Sequence, residues 1–259
     1  MTGYRSRGHP HRGYDSRVST REQWQRRLGP LYGGAVALVH STPWRWPIEV
    51  GDDTRSPGWI VAVGVPIGLV AWMTAALIRW TGMPSTVSSL LGLAMLSLAS
   101  AAIVERGLAE RIARAQTDPT RAAGIVALVF FTLVRAAAFA ALPPSRWLGV
   151  LLATSLVGRW AAVFLQAIGD QIIDDDAPRS LVTTPSPAWL TVALSLGVAS
   201  VTVLALGKAG IAALAITAAL TFVLGIDAQR RDHALSAPVV ATAAAIGEVA
   251  ILLVATIGS

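Results

Sequence analysis

The chain has no cysteine. That excludes a disulfide framework, a thiolate nucleophile and a Cys-ligated zinc site, and it fits a loop-poor protein on the reducing side of a membrane. Charged residues are scarce at 14%, and the four histidines are scattered, with His9 and His11 near the start. No P-loop and no Gly-x-Ser-x-Gly elbow occurs. The net charge of +6 raises the question of nucleic acid. Basic residues, however, are not interleaved with aromatics on one face, as single-strand binding requires. Nucleic acid is therefore not an expected partner.

Apolar residues are abundant, at 54%, and come in long blocks. Blocks of about 18 or more cross a hydrocarbon core of about 30 Å as helices. Helices are needed there because every backbone N–H and C=O must be satisfied without water. The spans predicted are Trp59 to Ile78, Val87 to Val104, Ala122 to Leu142, Trp147 to Ile168, Pro187 to Leu206, Ala209 to Gly225 and Ala237 to Ile257. The fold class expected is an all-α polytopic transmembrane bundle of about seven spans, one domain over residues 31–259, with the lipid bilayer as partner. Trp59, Trp80, Trp147 and Trp189 stand at span ends, where aromatic anchors belong. Residues 1–30 are polar and Arg-rich, cannot bury apolar area, and are expected to be disordered. Leu31 to Thr42 reads as a short interfacial or re-entrant helix, uncleaved, followed by Trp44 and Trp46 at headgroup level.

Loop charge sets the orientation. Arg106, Arg111, Arg114 and Arg121 follow the second span. Asp170, Asp174, Asp175, Asp176 and Arg179 follow the fourth, and Asp227, Arg230, Arg231, Asp232 and His233 the sixth. With seven spans these loops share a side with the Arg-rich tail, while the other side has only Arg79, Arg146 and Lys208. Lys and Arg near span ends mark the cytoplasm. A multi-pass protein of the cell (inner) membrane is expected, N-terminus cytoplasmic and C-terminus outside.

Arg135, Arg159 and Glu248 lie inside apolar blocks. A charge at the bilayer centre costs about 2.5–3.5 kcal/mol on insertion scales, so each needs a partner or a wet cavity. Two readings stand: the three line a substrate pocket, contacting phosphate or one another, or they form a structural interhelical pair or snorkel.

The order of segments resembles the cobalamin synthase family, the membrane-bound adenosylcobinamide-GDP ribazoletransferases. The pieces are Ser41-Thr42-Pro43, Val65-Pro66-Ile67-Gly68, Gly107-Leu108-Ala109, Gly158-Arg159 with Ala161 and Ala162, Pro187-Ala188-Trp189, and Gly247-Glu248. The resemblance implies a Mg²⁺-dependent displacement in which the ribazole hydroxyl attacks the pyrophosphate of cobinamide-GDP and releases GMP. It also implies carboxylates after the second span, in a pattern like H-x-D-G-x-A-D-x-x-D-G, that hold the cation.

The matching run departs from that pattern. Arg106 stands for the first Asp, Ala113 for the third, and only Glu110 keeps an acid. Further on, Pro238 and Ala245 replace two more family acids, and Asp118 matches another only after a one-residue shift. The catalytic candidates carried over are Glu110, Asp118 and Arg159, with Glu110 and Asp118 as metal ligands. Asp174, Asp175 and Asp176 read either as a compensating Mg²⁺ or Ca²⁺ site or as solvated loop. Glu110 reads better as an exposed ion-pair ladder with Arg106 and Arg114 than as a ligand.

The resemblance therefore implies a divergent member with weakened or lost catalysis. It would bind a corrinoid or nucleotide intermediate, or associate with an active paralogue or another copy of itself. The alternatives are an active Mg²⁺-dependent enzyme with a rebuilt acidic site, and a small-molecule transporter.

Overall fold

The computed structural model describes residues 20–44, 56–115, 122–170 and 180–257, and no β-strand occurs among them. In chain order the helices are α1 (Thr20–Leu28), α2 (Tyr32–Ser41), α3 (Pro57–Ala62), α4 (Gly64–Trp80), α5 (Ser85–Ala99) and α6 (Ile103–Ala115). They continue as α7 (Ala122–Ala140), α8 (Trp147–Ile168), α9 (Ala188–Leu206), α10 (Lys208–Asp232) and α11 (Ala237–Ile257). Among the described residues six helices are long and apolar enough to cross a membrane, with α3 and α4 forming one of them. A seventh arises when α5 and α6 count as one broken span. The all-α polytopic bundle expected from the sequence is the architecture found.

Small residues set the helix contacts. Gly64 and Gly68 of α4 sit on the α8 backbone: an added Cβ would stand 3.1 Å from Ser155 O and 3.0 Å from Leu151 O. That register runs the two helices antiparallel. Gly158 of α8 meets Ala244, and Gly169, just past α8, meets Leu235, just before α11, so α8 and α11 are antiparallel as well. Without a water-driven force between helices in lipid, such close backbone approach supplies the packing. α8 and α11 form the centre of the bundle and α9 its most exposed span. Exposed apolar side chains such as Phe130, Leu133, Leu196 and Leu204 form a face suited to lipid.

Several boundaries differ from expectation. Nine residues of the expected disordered tail form α1, whose Trp24 and Leu28 pack on Tyr32 and Val36 of α2. α2 in turn lies on Trp59, whose ring covers Gly33 and Gly34. Trp80 and Trp189 are exposed, as anchors should be, but Trp147 is buried and donates its indole N–H to Leu142 O at 3.2 Å. Trp46 lies outside the described residues. The charges assigned to the loops after the second and sixth spans stand largely on α6 and α10, which extend further than their apolar stretches.

The second predicted span, Val87 to Val104, is not one helix. α5 ends at Ala99, and α6 departs at 77°. The break is a Schellman motif: the Ala102 N–H donates to Ser97 O at 2.8 Å and the Ala101 N–H to Leu98 O at 3.0 Å. Ala101 (φ 54°) and Ala102 (φ 50°) occupy the left-handed region, where glycine is the usual residue. Alanine is the best helix former, so the sequence conceals the break. An L-residue in this conformation costs about 1–2 kcal/mol. Ala101→Gly should therefore stabilise the protein by about 0.5–1 kcal/mol after the entropic cost of glycine. The midpoint of thermal unfolding in detergent checks this, and a drop in midpoint would contradict the positive φ.

Candidate functional site

The α5–α6 break turns Glu105, in the first turn of α6, into the bundle. Its Oε1 accepts from Arg135 Nη1 of α7 at 2.6 Å and closely from the Ser97 hydroxyl of α5. Arg135 reaches further. Its Nη2 lies 2.9 Å from Glu248 Oε2 of α11, close enough for an ion pair but not aligned as a hydrogen bond. The guanidinium also stands over the Phe131 ring one turn earlier, 4.9 Å from its centroid. Arg135, Glu248 and Glu105 are all buried. Four helices thus meet on one guanidinium carrying two carboxylates.

Arg159 of α8 completes the interior charge. It is buried, and its Nη1 donates to Ser155 on its own helix, at 3.0 Å to Oγ and 3.3 Å to the carbonyl. Glu248 lies against the preceding residue: an added Cβ on Gly158 would stand 2.8 Å from Glu248 Cγ. Glycine here lets the carboxylate side chain pass between α8 and α11. The structure therefore gathers Arg135, Arg159 and Glu248 at the centre of the bundle, and the direct pair is Arg135 with Glu248.

The remaining candidates lie elsewhere. Glu110 is well exposed on α6 and forms an i,i+4 ion pair with Arg114. That is the ion-pair ladder in half; Arg106 makes no ion pair among the described residues. Arg111, largely buried, bonds Asp232 Oδ2 at 2.8 Å and Asp227 Oδ2 at 3.1 Å, tying α6 to the last turns of α10. Asp118, Asp174, Asp175 and Asp176 lie outside the described residues. Among the described residues no three His, Asp or Glu side chains converge as a metal site would require. Among the described residues Glu105 is paired with Arg135 and Glu110 with Arg114.

Glu105 is the residue that sequence reasoning missed, since its number places it at a predicted span end. Counting sign within the spans is the signal that would have found it: Arg135, Arg159 and Glu248 sum to +1, so a second buried acid is wanted. No known protein family, characterised protein or solved structure matches the chain. Function must be argued from the site itself.

Proposed function

We propose that this chain is a divergent membrane protein of the ribazoletransferase type in which metal-dependent phosphoryl transfer is lost or strongly weakened. On this reading it binds a corrinoid or nucleotide intermediate at the cytoplasmic end of the bundle. The observation that carries it is the meeting of two of the helices that carry the resemblance, α6 with Gly107 and α11 with Gly247 and Glu248. Gly107 sits on Ala241 so closely that an added Cβ would stand 2.2 Å from the alanine methyl. α6, with Arg106, Glu110 and Arg114, is thereby laid across the start of α11. Arginines there draw phosphate oxygens directly, where carboxylates would need an intervening cation. The orientation proposed is cytoplasmic for the α6, α10 and N-terminal charges and outside for the C-terminus, in the cell membrane, from the placement of arginine.

The test is a ribazoletransferase assay on purified protein in lipid, with and without Mg²⁺, beside an intact family member. No GMP release is expected, together with saturable binding of the cobinamide-GDP substrate that Arg106→Gln plus Arg114→Gln weakens by about tenfold. Magnesium-dependent release that is abolished by Glu110→Gln, or by joint replacement of Asp174, Asp175 and Asp176 with Asn, would show an active enzyme with a rebuilt site. Neither release nor binding would remove the family reading.

One observation favours a second reading. A broken helix beside buried charges near the bilayer midplane is how many transporters build their binding sites, and the α5–α6 break stands next to Glu105. Substrate-dependent flux into liposomes, with no ribazole chemistry, would select it.

A further inference from the structure

A groove runs between α2 and the α3–α4 pair. On one wall Leu31, Ala35 and Leu38 follow one another at helical spacing, and on the other Trp59, Val63 and Pro66 do the same. Its volume is about 530 Å³, within the range of built ligand sites, and no charged side chain lines it. Small residues leave the space: Gly34 and Ala62 stand where larger side chains would close it. Leu31 and Leu38 are exposed along its lip. Charge gathers at one end. α1 ends at Leu28, itself a groove residue, and carries three arginines against one glutamate. Arg26 and Arg27, in its last turn, are exposed and make no ion pair among the described residues.

We propose that this groove holds one acyl chain of an anionic phospholipid, whose headgroup is drawn to Arg26 and Arg27. α2 has 10 residues, which makes the groove about 15 Å long. That is half of a hydrocarbon core about 30 Å thick, the reach of one acyl chain in its leaflet. A second protein helix does not fit. The walls meet where Gly34 faces Trp59, an added Cβ standing 3.0 Å from the ring, and a helix is about 10–12 Å across. Within a bilayer the groove gains nothing from expelling water, so packing along the chain and charge at its head select the occupant. Lipid phosphate oxygens accept from guanidinium N–H donors, and each arginine at a membrane surface adds to the attraction for an anionic headgroup. The groove shares no residue with the interior charges or with α6 and α11. It can therefore fail or succeed apart from the ribazoletransferase reading.

The experiment titrates full-length protein in maltoside micelles with phosphatidylglycerol, and with phosphatidylcholine of the same chains, following unfolding temperature and lipid bound per chain by native mass spectrometry. One saturable phosphatidylglycerol is expected, bound at least about tenfold more tightly than phosphatidylcholine. Arg26→Gln with Arg27→Gln should abolish that preference and leave phosphatidylcholine binding as it was, whereas Arg230→Gln should change neither. Ala35→Leu with Ala62→Leu, which fills the groove, should weaken both lipids at least about tenfold while unfolding no lower than wild type in their absence. Should the filled variant fail to fold, a phosphatidylglycerol with a photoreactive acyl chain decides on the wild type: crosslinks are expected within residues 31–39 and 59–66. Crosslinks confined to other segments overturn the proposal. So do equal binding of the two lipids, and phosphatidylglycerol binding undiminished in the filled variant. Binding of neither lipid would mean that the chain itself closes the groove. A dimer in detergent that the filled variant dissociates would assign the groove to a second copy; either result overturns the lipid.

Discussion

Replacing Arg135 with methionine is expected to cost about 3–5 kcal/mol of stability, the range for breaking a buried ion pair from one side. The size follows from what remains. Glu105 and Glu248 would both lose their cation, leaving two buried carboxylates with Ser97 as the one polar side chain bonded to either among the described residues. The cost should lie with the stranded charges more than with the lost contact. Adding Glu105→Gln to Arg135→Met is therefore expected to restore much of the loss, since the interior then holds only Arg159 and Glu248, whose charges cancel, and a neutral interior is tolerated where a half-broken pair is not. Denaturant or thermal midpoints of the three proteins in detergent decide the matter. A single variant within about 1 kcal/mol of wild type would mean that the three groups are not charge-paired in the folded bundle.

The second large effect concerns the two glycines that hold α6 in place. A Cβ on Gly124 of α7 would lie 2.4 Å from the Ala109 carbonyl oxygen, whereas one on Gly107 would lie 2.2 Å from the Ala241 methyl. Both positions are overpacked by alanine, and overpacking typically costs about 1–3 kcal/mol. The two should differ in rescue. At position 107 the obstacle is a side chain, so Gly107→Ala with Ala241→Gly should recover most of the stability. At position 124 the obstacle is backbone, and no substitution at 109 removes it; Gly124→Ala should remain destabilised whatever residue stands there. Recovery of Gly124→Ala by Ala109→Gly to the same extent would refute this account of the α6–α7 contact.

How much of this was legible beforehand depended on the kind of signal. Long apolar blocks, a composition effect, matched five of the seven helices to within a few residues, all but the broken second and the sixth, which runs on to Asp232, because lipid imposes length and helicity together. Gly64 and Gly68 meet α8 while Gly92 meets Ala75 of α4, close approaches that small residues permit. The buried charges Arg135, Arg159 and Glu248 were visible as charges, and their gathering followed from the penalty each would suffer alone. An interhelical pair among them was one of the readings, but which arginine takes which acid, and the part of Glu105, were not visible. That assignment depends on the α5–α6 break, made by two alanines whose residue type argues for helix, and on Glu105, which the break swings inward. Trp147 shows the same limit from the other side: an indole near a span end fits an interface belt or a core equally well, and only the neighbouring Leu142 carbonyl and Phe139 ring decide.

The order of the interior charges along the chain has a consequence for biogenesis. Glu105 is synthesised before Arg135, so their ion pair can form as soon as α7 is made. Arg159 arrives next, and Glu248, the last buried acid among the described residues, is not made until α11. Between those moments the growing bundle carries one uncancelled positive charge within the membrane. These four buried charges cancel only once α11 has been made.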